Sequence, residues 1–141
     1  MSPRKTTTGG VLEAMILPAL QHGGYTYRTQ VNIGQRFGGG RHFVDVVAED
    51  AGRRRYLISL KWQQVSGTAE QKVPFEAMCL AEAVRASTPA YDKAYLVLGG
   101  PGWKLRDFFI GGGLREHLTH GTLVVISSLE TFIARANSGK L

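Results

Sequence analysis

The chain has 141 residues, 43% hydrophobic and 20% charged, a balance that fits one globular domain with a real core and excludes a disordered chain. Seventeen Lys and Arg against eleven Asp and Glu leave a formal charge of +6, which favours a polyanionic partner without specifying a fold. The single cysteine, Cys79, rules out an internal disulfide and suits a reducing interior.

The segment 1–8 reads as a flexible N-terminal arm ahead of a single domain spanning 1–141. It has no continuous apolar region with a small-residue cleavage pattern, and the apolar run that follows is interrupted by Glu13 and Pro18. Neither an export signal nor a membrane span is expected, so the chain is placed in the cytoplasm. Glycine pairs frame a first helix over about 11–21, with a kink expected near Pro18. "YTYRTQVNI" alternates through Tyr25, Tyr27, Thr29, Val31 and Ile33 as a half-buried strand does. A glycine-rich loop leads to a second strand, "RHFVDVVAE". "DAGRRR" is a turn, and Tyr56–Val65 is the third strand.

Thr68 is the expected N-cap of a helix reaching Arg85, with Pro74 marking either a fresh start or a kink. "KAYLVLGG" is continuously apolar, as a buried parallel strand is. "WKLRDFFI" to "LREHL" is helical but broken at Gly111–Gly113. "TLVVISS" is a further strand, and a last helix begins at Ser128 as cap. The order α-β-β-β-α-β-α-β-α predicts an antiparallel meander followed by right-handed crossovers, packed as a three-layer α/β domain with a mixed central sheet.

Four polar residues stand where burial discourages them: Glu13 on an apolar helical face, Asp45 inside "FVDVV", and Ser59 with Lys61 on one face of the third strand. Asp45 and Lys61 lie on neighbouring strands joined by a short turn, so they can approach across the hairpin. For Asp45 to share a face with Ser59 and Lys61 the pairing sum must be even, for instance 45 opposite 59. A carboxylate in such a place can hold Mg²⁺, and a lysine beside it can act on a water or on a phosphate.

On these residues the chain resembles the PD-(D/E)XK, or restriction-endonuclease-like, nucleases. The element order of that family's core, α-β-β-β-α-β, matches the first two-thirds of the chain. The family's strand aspartate corresponds to Asp45, its lysine to Lys61, and its first-helix glutamate to Glu13. Val44 stands where the motif has proline, and Ser59 where it has the acid two residues before the lysine. The resemblance therefore implies either a dead enzyme or an acid that has moved to the following helix, as in some restriction enzymes of the family that read Ser-x-Lys.

Glu70 and Glu76 are the available acids. Lys61 lies four residues before the expected strand end, roughly 13 Å at ~3.3 Å per residue. A helix returning at ~1.5 Å per residue regains that level after about eight or nine residues. Counted from about Thr68, this lands on Ala77 or its neighbour Glu76, so Glu76 is the expected acid, with Glu70 in reserve.

The expected catalytic set is thus Asp45, Lys61, Glu76 and Glu13, the three carboxylates serving as ligands of Mg²⁺, with Mn²⁺ able to substitute. Arg53, Arg54 and Arg55 at the turn, Lys104 and Arg106 after "GGPGW", and Gln63 beside Lys61 are the expected nucleic-acid contacts. No organic cofactor is implied, since the glycine runs match neither the P-loop nor the dinucleotide fingerprint. The function expected is Mg²⁺-dependent hydrolysis of double-stranded DNA by an endonuclease, with a homodimer the simplest way to cut both strands. The alternatives are an inactive nucleic-acid-binding module on the same fold and an α/β protein whose polar residues form a structural ion-pair network.

Overall fold

The computed structural model describes residues 8–88 and 91–141. Residues 1–7 of the expected arm lie outside them, and Thr8 already belongs to the first helix. The elements are α1 (Thr8–His22), β1 (Thr26–Gln35), β2 (Arg41–Glu49), β3 (Arg55–Trp62), α2 (Ala69–Ala86), β4 (Lys93–Gly99), the short α3 (Arg106–Ile110), β5 (Val124–Ser128) and α4 (Leu129–Asn137). Two 3-10 turns, Arg115–His117 and Gly121–Leu123, link α3 to β5 where a longer helix was expected.

The strands form one mixed sheet in the order β1-β2-β3-β4-β5. β1 to β3 pair antiparallel, and β3-β4 and β4-β5 pair parallel. Each face of the sheet carries a core. Val46, Ala48, Ile58, Leu60, Tyr95 and Val97 meet Ile16 and Leu20 of α1 and Phe132 of α4. Val47, Leu57, Leu96, Leu98 and Ile126 meet Val73, Ala77, Leu80 and Val84 of α2. Because helices cover both faces, β4 reads as an unbroken apolar run, as a central parallel strand should.

Local signals account for most boundaries. Ser128 caps α4, its Oγ accepting from the Thr131 N–H at 3.1 Å. Thr68 occupies the N-cap position of α2 but its side chain makes no capping bond. α2 runs through Pro74, and its buried stripe facing the sheet offsets the backbone bond that proline removes. β3 stops at Trp62, three residues short of the expected end. There Gln63 N–H donates to Gly99 O at 3.1 Å and Gly102 N–H donates to Gln63 O at 2.8 Å. The 99–102 segment thus closes over residues 63–65, and a Cβ at Gly102 would stand 2.7 Å or less from Val65 backbone atoms.

The first two strands do not keep one face throughout. Tyr25, Tyr27, Val46 and Ala48 pack on the α1 side, whereas Val31, Ile33 and Val44 pack with the α2 core. The switch falls at Gln30, whose φ of 51° is left-handed, and at Asp45, the residue between Val44 and Val46. The distal half of the β1-β2 hairpin is thereby turned toward α2, which brings the loop at Arg36 and the buried His42 over that helix.

Candidate active site

The site lies where β2 and β3 part. Their register, Val46 to Ile58 and Val47 to Leu57, has the even pairing sum that puts Asp45 in step with Ser59, and the ladder ends at Val46 and Ile58. In a regular ladder Leu60 N–H would seek the β2 backbone; here it donates to Asp45 Oδ2 at 2.7 Å. That bond both ends the ladder and fixes the carboxylate in the gap. Asp45 Oδ1 receives only a 3.5 Å contact from Gln30 Nε2. Burial pushes the Asp45 carboxyl above its ordinary value and the nearby Glu76 pushes the same way, outweighing the Leu60 N–H, the Lys61 ammonium and Gln30.

Lys61 stands two residues beyond Ser59, half-buried at the end of β3, and its charge acts on both Asp45 and Glu76. Glu76 projects from α2 and is 2% exposed. His42 Nε2 donates to its Oε2 at 3.1 Å, and Arg36 Nη1 donates to its Oε1. Burial raises the Glu76 carboxyl, but the hydrogen bond and charge of His42, the charge of Lys61 and the Arg36 bond together hold it below its ordinary value. A cleft of about 380 Å³ opens beside these groups, lined by Arg36, Lys61, Gln71, Lys72, Phe75 and Glu76.

The reserve acid has a different task. Glu70 accepts from Lys104 N–H at 2.9 Å, Leu105 N–H at 2.8 Å and Gln63 Nε2 at 3.1 Å. The Lys104 N–H leads in holding its carboxyl low, opposed by burial and helped by the Leu105 N–H and Gln63. Gln63, expected beside the substrate, is buried, and its amide is divided between Glu70 and Gly102 O at 2.9 Å. Both residues anchor the loop after β4.

Glu13 is half-buried on α1 and reaches the centre through Gln30, which donates to it and contacts Asp45. Among the described residues no group of three or more His, Cys, Asp and Glu side chains is gathered for a metal, so the expected three-carboxylate set of Glu13, Asp45 and Glu76 is not assembled as one cluster. A two-carboxylate set remains. Asp45 and Glu76 offer hard oxygen donors, and Asp45 is a carboxylate made less acidic by its burial, with Glu76 adding to the effect, a setting in which a cation is favourable. That donor set fits Mg²⁺, which commonly takes one or two carboxylates and keeps several waters.

The arginine turn is elsewhere. Arg55 lies six residues before Lys61, roughly 20 Å along β3 at ~3.3 Å per residue. Arg53 is exposed, Arg54 Nε donates to Asp50 at 3.0 Å, and the Arg55 guanidinium lies 4.4 Å from the centre of the Tyr91 ring. Lys104, in the loop that Glu70 anchors, and Arg106, the first residue of α3, are exposed at the same end of the sheet as Lys61.

Gln30, Arg36 and His42 were not anticipated. His42 carries a faint signal, because it alternates with Val44 as a buried position should. Arg36 and Gln30 carry none, since their approach depends on the switch of faces.

No curated protein matches the sequence. Among solved structures, the crystal structure of AF1548, a protein of unknown function, is similar with a TM-score of 0.49 at 15% identity, over 85% of this chain and 55% of that one. The chain thus spans just over half the length of that protein. A family model described as the PD-(D/E)XK nuclease superfamily domain matches residues 4–140. With its mixed five-stranded sheet between helices and nearly its whole length inside that match, the chain belongs to the PD-(D/E)XK nuclease superfamily.

Proposed function

We propose that the chain is a metal-dependent endonuclease that hydrolyses phosphodiester bonds of double-stranded DNA, with its second acid at Glu76 in place of the serine at position 59. The observation that carries this reading is that Lys61 and Glu76, from two different elements, line one cleft, with Asp45 of a third element close enough for its charge to act on both. A structural ion pair needs no such opening.

In this reading Asp45 and Glu76 hold Mg²⁺, or Mn²⁺ in its place. The ion, when bound, supplies positive charge against the phosphate and activates water for attack. Lys61 orients that water or donates to the oxygens of the pentavalent phosphate. The Leu60 N–H fixes one Asp45 oxygen, and Gln30 ties Glu13 to the other, so Glu13 positions Asp45 from a distance. Lys104 and Arg106 hold backbone phosphates, and a homodimer presents two such clefts to the two strands. The setting proposed is cytoplasmic; among the described residues no helix is long and apolar enough to cross a membrane.

The test is cleavage of supercoiled plasmid. Wild type should nick or linearise it with Mg²⁺ and stop with EDTA, and Lys61→Ala and Glu76→Ala should each be slower by ~10²-fold or more. Equal activity in wild type and Lys61→Ala would sink the proposal. One observation favours a second reading: Ser59, in the family's acid position, is 2% exposed and offers no charge. Wild type that binds DNA yet leaves it intact with both metals would make the chain an inactive binding module.

A further inference from the structure

Glu76 is doubly occupied, and its two partners are unlike each other. The His42 side chain is 1% exposed, enclosed between β2 and α2. Arg36 has 30% of its side chain exposed, against 3% for the carboxylate it holds. Its loop runs straight into Gly38, Gly39 and Gly40, which have no side chains to pin it. The loop is closed on itself, by Arg36 N–H to Gly40 O at 2.7 Å and Gly39 N–H to Arg36 O at 3.0 Å. Arg36 also lines the cleft, together with Lys61 and Lys72. The guanidinium thus has a buried carboxylate on one side and an open basic cleft on the other.

A buried carboxylate needs a positive partner in every state of the protein. In the free chain Arg36 provides the charge, and His42 adds a hydrogen bond to Glu76 Oε2. A divalent cation held by Asp45 and Glu76 would compete with Arg36 for the Glu76 carboxylate, because two cations at one carboxylate repel. A phosphate in the cleft offers the guanidinium an equivalent acceptor with two oxygens in fork geometry.

We propose that Arg36 is a phosphate-responsive latch: it holds Glu76 in the free protein and moves to a substrate phosphate, releasing Glu76 for the metal. The inference rests on the nuclease reading and adds to it a coupling between the two ligands. By linkage, DNA must tighten metal binding by the same factor that metal tightens DNA binding, a factor expected in the range of ~5–150.

Mn²⁺ binding to the full chain, followed by electron spin resonance with and without a short uncleavable duplex, tests this without any turnover. Wild type should bind Mn²⁺ more tightly with the duplex present. Arg36→Gln should bind it more tightly than wild type in the free protein, and the duplex should then add little. Arg36→Lys keeps a cation against Glu76 but lacks the fork. It should therefore bind free Mn²⁺ as wild type does and lose most of the coupling, giving a readout should the glutamine variant fold poorly. Unchanged coupling in Arg36→Lys, or weaker Mn²⁺ binding in folded Arg36→Gln, overturns the latch alone. Wild type that takes up no Mn²⁺ in either state overturns the nuclease reading and the latch with it.

Discussion

At the scale of single residues the two acids of the candidate site act on stability in opposite directions. Asp45 is a carboxylate whose protonation is easier in the fold than in the unfolded chain, so the fold binds that proton more tightly. The sign follows: the stabilisation is full below the unfolded value, is lost as pH rises from there through the raised folded value, and stays lost at neutrality. Asparagine keeps an oxygen for the Leu60 N–H while removing the charge. Asp45→Asn should therefore melt at a higher temperature than wild type near neutral pH, with the gap closing as the pH falls below the carboxylate range, and should not cleave. Thermal melts of both proteins across that range check it; a gap that widens toward acid would refute the assignment. Glu76 has the opposite sign: its depressed carboxyl stabilises the fold above its unfolded value and that gain is lost in acid. Asp45 and Lys61 stood out in the sequence as charges on otherwise apolar strands, and helix rise chose Glu76 over Glu70 once the family resemblance called for an acid on α2. Arg36 and Gln30 were not legible there, because a single left-handed residue reversed the face on which their half of the hairpin packs.

At the scale of elements, the site depends on joints rather than on the strands themselves. Glu70 pins the loop after β4 through two backbone N–H groups and Gln63, which is why that glutamate is unavailable to the cleft. Glu70→Ala should loosen this loop and lower stability while the folded fraction still cleaves, the reverse of Glu76→Ala; activity normalised to folded protein separates the two. A second joint couples α1 to α4. A Cβ on Gly23 would stand 1.8 Å from Ala136 O, and Gly23 O in turn faces Gly139. Overpacking against a backbone that cannot yield costs roughly 1–3 kcal/mol, so Gly23→Ala should lower the unfolding free energy by at least that much in a denaturant titration. The glycine pair was visible as a helix boundary, but the close approach of α4 was not, since it joins segments more than a hundred residues apart.

At the scale of the whole molecule, the charge of +6 says that a polyanion is favoured and nothing about where it lies. The fold sorts the cations. Arg54 is engaged by Asp50 at the far end of β3, while Lys104 and Arg106 sit beyond the same strand ends as Lys61, where ligands of open α/β sheets usually gather. A phosphate contact has a signature that a solvated arginine lacks: each one neutralised releases counterions, and the slope of log affinity against log salt changes by about 0.9 per contact. Removing Lys104 or Arg106 by alanine should each flatten the slope by about that amount for any duplex sequence, whereas Arg54→Ala should leave it unchanged. Fluorescence anisotropy of a labelled duplex without divalent metal, titrated at several salt concentrations, reads the slope without cleavage. A flattening confined to Arg54→Ala would move the DNA path to the opposite end of the sheet, some 20 Å from Lys61 at ~3.3 Å per residue, and the cleft would then have to be reached by a bent or branched substrate.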